Sequence, residues 1–316
     1  MNSLRNCLNN YLTMRRALGF PLHRQGKALL DFVTFAEQKR AKYITASLAL
    51  EWAQKPATAQ PATWAGRLGN VRGFARYMSA IDPRTEVPPS NLLPHSPKRA
   101  RPYIYTEEEI QSLMTAALAL PICHCWPAAS LLKNQTYYCL IGLLAVTGMR
   151  ISEAIGLKMK NVDLIEGVLR IDAAKLGKSR LVPLHASTLK VLSRYKSHRD
   201  QFLQGDHAEY FFINMVGKAL DPGTVRRTFY MLSRQSGLRG QRAKQGPRIH
   251  DLRHRFAVQT MLHWYRNGDD VERLLPVLST YLGHVHVNDT YWYLTAYPEL
   301  MGRAVERLEK RWEVQS

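Results

Sequence analysis

Apolar side chains in the first eighty residues recur with the period of an α-helix and never alternate as they would in a strand. Four of them occupy positions i, i+3, i+4 and i+7 and predict one buried helical face; they are Leu29, Phe32, Val33 and Ala36. This stripe predicts a helix over residues 24–39. Further helices are predicted over residues 4–18, 48–53 and 64–81. The amino-terminal part is therefore predicted to be wholly helical.

A proline-rich segment follows these helices. Six prolines between residues 82 and 105 exclude a helix or a central strand there. Thr106 and Glu109 then have the spacing of a capping box, which marks a helix start. The sequence thus predicts a helical domain over residues 1–82, an extended basic linker over 83–104 and a second domain over 105–316.

The second domain mixes helices with a few short strands. The longest apolar run, residues 137–146, is about half of what spans a bilayer, so it predicts a buried helix over 136–147 and no membrane contact. Short strands are predicted over 168–171 and 180–184, with a possible third over 210–214, and helices from residue 222 to the end. The fold class expected is mainly α with a small antiparallel sheet, a helical domain joined to a mixed α/β domain.

The charge balance of the chain indicates a binding partner. The chain carries 44 Lys and Arg against 25 Asp and Glu, a formal charge of +19 with a pI of about 10.0. Basic excess is found on both sides of residue 104, so both domains could contact phosphates. Nucleic acid is the expected partner, and the alternative is a basic surface that serves solubility alone.

Two groups of basic residues are candidates for contact with a DNA backbone. One group lies four or five residues apart on the predicted helix over 64–81, and the other closes the proline-rich linker. The candidates are Arg67, Arg72, Arg76, Lys98, Arg99 and Arg101. The alternative is a solvated helix face with no partner.

The cysteines indicate neither disulfides nor a metal. Four cysteines in 316 residues, with no signal peptide ahead of them, suggest a reduced, cytoplasmic protein. Cys123, His124 and Cys125 lack the spacing of a zinc site and have no second ligand pair. We therefore expect no metal and no cofactor.

Six polar residues in the second domain match what breaking a DNA strand requires. The reaction needs a nucleophile, fixed cations for the charge on the non-bridging oxygens, and a proton for the departing sugar oxygen. Arginine binds two phosphate oxygens with its planar fork, histidine exchanges protons near neutral pH, and a lysine on a hairpin can reach a leaving oxygen. The candidates are Arg150, Lys175, His250, Arg253, His284 and Tyr293.

Four segments carrying these residues resemble, in order and spacing, the signature boxes of the tyrosine recombinases, the phage integrase family. They read TGMRISEAIGL (147–157), KLGKSRLVPLH (175–185), HDLRHRFA (250–257) and LGHVHVNDTYWY (282–293). The helical, basic front half is similar to that family's core-binding domain. In order and spacing, the match extends across roughly 200 residues.

The resemblance implies a role for each residue. Arg150 and Arg253 would clamp the scissile phosphate, Lys175 would protonate the leaving 5′ oxygen, and Tyr293 would become the 3′-phosphotyrosyl nucleophile. His250 would serve as acid or base, and His284 would steady the phosphate. Glu153, three residues after Arg150, resembles an acidic residue of the family and is placed to orient that arginine.

Several assignments have competitors. His286 competes with His284, Lys178 with Lys175, and Tyr291 and Tyr297 with Tyr293. Asn288 and Asp289 look like a helix start, which separates the second histidine from the tyrosine. The tail over residues 299–314 is an amphipathic helix, which in this family docks on a neighbouring subunit and otherwise would fold back on its own domain.

The function expected from the resemblance is site-specific DNA recombination at simple core sites. The protein would act as a homo-tetramer on duplex DNA through a Holliday junction, be monomeric or weakly associated when free, and use accessory proteins in some settings. The biological task would be integration, excision or transposition of a mobile element. Two rivals remain, a catalytically idle DNA-binding accessory protein of the same fold and a topoisomerase of the same chemistry.

Overall fold

The computed structural model describes residues 3–94, 101–172 and 179–315, the side chains of 295, 296 and 310–315 excepted. It divides the chain into two compact units, Met1–Ala100 and Arg101–Ser316. The division falls inside the predicted linker. No helix within the described ranges has the length and apolar character needed to cross a bilayer.

The first unit is built from helices, as predicted. Its core is aromatic, with Phe32, Trp52 and Phe74 fully buried, and the Trp52 indole N–H donates to the Asp31 carboxylate at 3.0 Å. Ser3 and Thr45 cap the helices that follow them by accepting backbone N–H groups. The helices are α1 (Leu4–Ala17), α2 (His23–Gln38), α3 (Ala46–Gln54) and α4 (Pro61–Ser79).

The second unit surrounds one long buried helix. The capping box at Thr106 is present and begins α5. The buried helix starts at Pro127, well before the predicted residue 136, with proline in its first turn. The polar Asn134 is buried within it, and its amide donates to the Leu118 and Leu120 carbonyls. The helices up to residue 235 are α5 (Glu107–Leu118), α6 (Pro127–Thr147), α7 (Ile151–Ile155), α8 (Ala186–Leu203) and α9 (Pro222–Gln235).

A small antiparallel sheet lies against this helical body. Its strands, in spatial order, are β1 (Val162–Asp163), β2 (Val168–Ile171) and β3 (Arg180–Pro183). Leu169 and Val182 are register partners and both are fully buried. The mainly helical fold with a small antiparallel sheet is confirmed, and β1 is an addition, too short to produce a sequence signal.

The predicted third strand over 210–214 is wrong. Phe211 and Phe212 are fully buried in the core beside Tyr195, but the segment makes only isolated bridges, at Tyr210 and at Ile213. The chain reverses immediately after Asn214, whose side chain accepts two backbone N–H groups. Burial of these aromatic side chains therefore gives the sequence a strand-like pattern, although the segment forms no strand.

Four helices close the unit and carry the carboxyl-terminal signature boxes. Gly268 and Gly283 end two of them in the left-handed conformation. The last helix packs against the first and third of the four and exposes Met301, Val305 and Leu308 on its outer face. These helices are α10 (Asp251–Asn267), α11 (Val271–Leu282), α12 (Asn288–Ala296) and α13 (Pro298–Gln315).

Candidate active site

Arg253 lies between the carboxyl ends of two helices. It is only 2% exposed, and its guanidinium donates to the Gly148 carbonyl after α6 and to the Leu282 carbonyl of α11, both at 2.7 Å. These carbonyls are the negative ends of helix dipoles, which stabilise a cation. Burial, and then the nearby charge of Arg150, lower the pKa of Arg253 to about 10, so the group stays charged near neutral pH.

Arg150 is fixed by a carboxylate and a backbone carbonyl. Its Nη1 contacts the Glu153 Oε1 at 2.8 Å, and its Nη2 donates to the Gly283 carbonyl at 2.7 Å. The other Glu153 oxygen accepts the Arg150 backbone N–H at 2.9 Å. Glu153 thus anchors the main chain and side chain of Arg150 together, in the supporting position that the sequence suggests. A quarter of the Arg150 side chain remains exposed.

Arg180, at the start of β3, completes the group of cations and was not selected from the sequence. Its guanidinium forms a bidentate ion pair with Glu153, at 2.6 and 3.1 Å, and its side chain is 9% exposed. It lies inside the second signature box, but nothing there distinguishes it from a surface arginine of a strand. The three arginines outnumber the single carboxylate among them, so this cluster suits an anion.

Two glycines make this close packing possible. Gly148 and Gly283 both have positive φ, +60° and +67°, where other residues are strained. A Cβ at Gly148 would lie 2.5 Å from the Phe256 ring, and one at Gly283 would lie 2.9 Å from an Arg180 nitrogen. Each glycine carbonyl also holds one of the candidate arginines, so both turns belong to the site.

His284 follows Gly283 directly and faces the cluster. Its Nδ1 lies 2.7 Å from the Thr290 hydroxyl, which fixes the ring and leaves Nε2 available. Burial, and then the charges of Arg253 and Arg150, lower the pKa of His284 to about 4, so the ring is neutral near pH 7. The competing His286 is exposed and lies past the turn.

Tyr293 is buried between two imidazole rings. The residue is 2% exposed, its ring stacks at 25° on His284 with centroids 6.3 Å apart, and its hydroxyl lies 3.2 Å from Nδ1 of His254. The positive charge of Arg253 is within electrostatic reach of the phenol. Of the competing tyrosines, Tyr291 is 45% exposed and Tyr297 lies at the end of α12.

His250 precedes α10 and is exposed. Its ring lies edge-on to that of His254, with centroids 4.8 Å apart. Partial removal from water, and then the charge of Arg253, lower the pKa of His250.

Several predicted residues cannot be placed. Lys175 and its competitor Lys178 lie outside the described residues, as do Lys98 and Arg99. In the second unit, the described candidates Arg150, Arg253, His284 and Tyr293 come together, with Glu153 among them. His250 adjoins them through His254.

The candidate DNA-contacting arginines of the first unit differ in whether their side chains already bind other groups of the protein. Arg67 stacks on Trp52 at 3.8 Å and donates to the Trp52 carbonyl at 3.1 Å. Arg72 donates to the carbonyls of Pro88 and Pro89, at 2.7 and 2.6 Å. Arg76 is exposed on α4, as is Arg101 in the second unit.

Replacing Glu153 by Gln tests the electrostatics of the cluster. The two arginines hold the pKa of Glu153 at about 2 although burial opposes this. Because the folded pKa is below the unfolded one, this carboxylate stabilises the fold above about pH 4.5 and loses that effect as pH falls toward about 2. We expect Glu153→Gln to lower the free energy of unfolding by about 3 kcal/mol near pH 7.

The measurement is denaturant unfolding of both proteins across this pH range. The difference between them should shrink as the solution is acidified. If the difference in the free energy of unfolding did not change with pH, the effect of the substitution would come from packing and not from the charge of Glu153.

The geometry defines a site for phosphoryl transfer to a phenol. Fixed guanidinium groups form an anion site, and imidazole rings adjoin a tyrosine hydroxyl. These features are those of an enzyme that breaks and rejoins DNA with tyrosine.

Comparison with known proteins gives the family. Residues 104–299 match the Phage integrase family. The chain is 54% identical over 314 residues to the putative integrase/recombinase y4rB of Sinorhizobium fredii (strain NBRC 101917 / NGR234), covering 99% of both. The chain therefore belongs to the phage integrase family and is a tyrosine recombinase by class.

Solved structures share its fold. The Tn1549 transposon integrase in complex with transposon right end DNA is 17% identical with a TM-score of 0.66, covering 98% of this chain and 100% of that one. A lambda integrase tetramer bound to a Holliday junction is 19% identical with a TM-score of 0.60, covering 92% and 77% respectively. Both matches extend over the helical first unit and the mixed second unit.

Proposed function

We propose that this protein is a site-specific recombinase that cuts duplex DNA through Tyr293 and rejoins it to a partner strand during movement of a genetic element. Arg150 and Arg253 bind the scissile phosphate, with His284 donating to it from Nε2. Lys175 protonates the leaving 5′ oxygen, and His250 assists as acid or base at the exposed edge of the site. The covalent phosphotyrosyl bond stores the energy of the broken strand, so rejoining needs no nucleotide cofactor.

The observation that carries this proposal is the convergence of the buried guanidinium groups with the Tyr293 phenol. Arg253 and Arg150 are held at 2.7 Å from backbone carbonyls of the same α11 turn, and His284 of that turn stacks on Tyr293. An idle DNA-binding protein has no need of charges fixed this rigidly around a phenol.

Assembly is proposed on the same basis. The outer face of α13 exposes Met301, Val305 and Leu308 at i, i+4 and i+7, which suits contact with a neighbouring subunit. A tetramer on paired core sites would then exchange strands through a Holliday junction, and accessory proteins would set the direction. We expect this to take place on the DNA of the cytoplasm.

The test is a covalent trap. DNA sites are first selected from a random duplex library with the Tyr293→Phe protein and then rebuilt with a nick beside each possible cleavage position. Cleavage at the correct position releases a short 5′-hydroxyl fragment, which leaves the protein bound to DNA. Fragmentation of the tryptic peptide from Leu274 to Arg303 locates the linked residue.

Each outcome separates the rival functions. Adducts at Tyr293 on selected sites support the recombinase, and strand exchange between two such sites completes the case. Adducts on arbitrary sequence, with relaxation of supercoils, would indicate a topoisomerase. Tight binding without an adduct at any nick would indicate an accessory DNA-binding protein.

Arg76 offers a separate test of DNA contact by the first unit. The side chain is exposed on α4, so Arg76→Gln should leave stability unchanged and lower the salt dependence of DNA affinity by about one phosphate contact. Equilibrium titrations at several salt concentrations measure this slope. Arg67→Gln is the comparison, because loss of its stacking on Trp52 should instead lower the melting temperature. An unchanged slope for Arg76→Gln would remove this residue from the interface.

A further inference from the structure

A histidine outside the predicted set is in contact with the nucleophile. His254 follows Arg253 on α10, and its Nδ1 lies 3.2 Å from the Tyr293 hydroxyl. Its side chain is 13% exposed, with Trp292 and Tyr293 both packed against the ring, at 5.5 and 5.4 Å between centroids. The imidazole is therefore held in position beside the atom that must lose a proton.

A buried carboxylate faces the other side of this ring. Oδ1 of Asp251 lies 4.0 Å from Nε2 of His254, and Asp251 is 1% exposed. Arg248 holds that carboxylate with its backbone N–H at 2.8 Å and its guanidinium at 2.7 Å. A fixed negative charge beside Nε2 favours the proton there, which leaves the Nδ1 lone pair to accept from a hydroxyl.

We propose that His254 is the proton acceptor for Tyr293 in strand cleavage, an inference that rests on the proposed function. The Tyr293 O–H bond breaks and its proton passes to Nδ1 of His254. The phenolate oxygen then bonds to phosphorus, and the bond from phosphorus to the 5′ oxygen breaks. That oxygen takes its proton from Lys175, and the reverse sequence rejoins the strand. The imidazolium formed is stabilised by Asp251.

His254 and His250 therefore have different tasks. His250 is exposed at the start of α10, so it can reach a bound phosphate from the solvent side, whereas His254 is enclosed and faces the phenol. The charged and titratable groups near the His254–Tyr293 pair include Arg248, His250, Asp251, Arg253 and His284, and Asp289 acts on His284 from α12. Asp251 supplies a negative charge 4.0 Å from Nε2 of His254, which favours protonation of that ring.

The choice of variant separates proton transfer from positioning. In His254→Asn the side-chain oxygen can occupy the place of Nδ1 and accept the hydroxyl, but it cannot hold the proton. His254→Ala removes both abilities. The matched control is His263→Asn, because His263 is exposed on the same helix and pairs only with Asn267 at 3.0 Å among the described contacts.

Single-turnover cleavage of the selected nicked duplex is measured from about pH 5.5 to about pH 8.5. The wild-type rate should rise with pH through the range in which imidazole loses its proton, because the neutral ring is the acceptor. His254→Asn should lower the rate about 10²-fold or more and remove this dependence, with DNA affinity and melting temperature retained. His263→Asn should behave like the wild type.

A substrate with sulfur at the bridging 5′ position sharpens the test, because a thiolate leaves without a proton. Lys175→Ala should recover most of its rate on this substrate, whereas His254→Asn should not, because its defect lies in activating the nucleophile. Recovery of His254→Asn by sulfur, or an Asn variant as fast as the wild type, would overturn the assignment. If the wild type forms no adduct with either substrate, the proposed function itself fails.

Discussion

Tyr293→Phe is expected to abolish the covalent protein–DNA adduct while DNA binding and stability stay close to those of the wild type. The phenyl ring keeps its buried position against His284 and Trp292, and the substitution removes the hydroxyl together with its contact with His254. One such hydrogen bond contributes roughly 1 kcal/mol to stability. Loss of the nucleophile removes the covalent step altogether, and the adduct should fall below detection.

Two neighbouring tyrosines provide the controls. Tyr291→Phe removes a hydroxyl on the same helix from a side chain that is 45% exposed, and Tyr297→Phe removes one at the helix end. Both should still form the adduct at near wild-type rates, as judged by gel mobility after denaturation. An adduct that survives in Tyr293→Phe and disappears in either control would move the nucleophile to that residue.

The fold was largely predictable because periodicity and capping are local properties. The helices over 4–18 and 24–39, the capping box at Thr106 and the β2–β3 hairpin are each determined by residues close in sequence. The 210–214 strand failed because Phe211 and Phe212 are equally suited to a core loop. The early start of α6 was missed because the buried Asn134 is satisfied by carbonyls more than a dozen residues away.

The site was less predictable, and its missing members show why. Arg180 and His254 both lie inside the signature boxes, but their significance arises from contacts across 27 and 39 residues of sequence, with Glu153 and with Tyr293. Asp251 has the sequence position of an ordinary acidic residue in the first turn of a helix. Sequence reasoning identifies residues by type and spacing, whereas these three are defined by what the tertiary fold places beside them.

Tertiary contacts also determine the role of Arg253. Arg253 satisfies two carbonyls at helix ends, those of Gly148 and Leu282. Under the proposed function, it also contributes charge to the phosphate site. Its roles in stability and in cleavage are thus coupled through one guanidinium, and a substitution must be compared with one that disturbs stability alone.

Arg253→Lys is expected to reduce single-turnover cleavage by roughly 10²- to 10³-fold, the effect of removing one fixed donor from a transition state. The charge is kept, but an ammonium cannot reach both carbonyls with the planar geometry of a guanidinium. A buried carbonyl left without a donor should also lower the free energy of unfolding by about 1–3 kcal/mol.

Arg255→Lys is the matched control for this substitution, since it lies on the same helix and is also held by a backbone carbonyl. Its guanidinium donates to Tyr105 at 2.9 Å and pairs with Glu107 at 2.6 Å, away from the cluster. Stability should fall there with little change in cleavage, when rates are measured well below both melting temperatures. If Arg253→Lys and Arg255→Lys had equal cleavage rates, Arg253 would only stabilise the contact between the helix ends, and other cations would bind the phosphate.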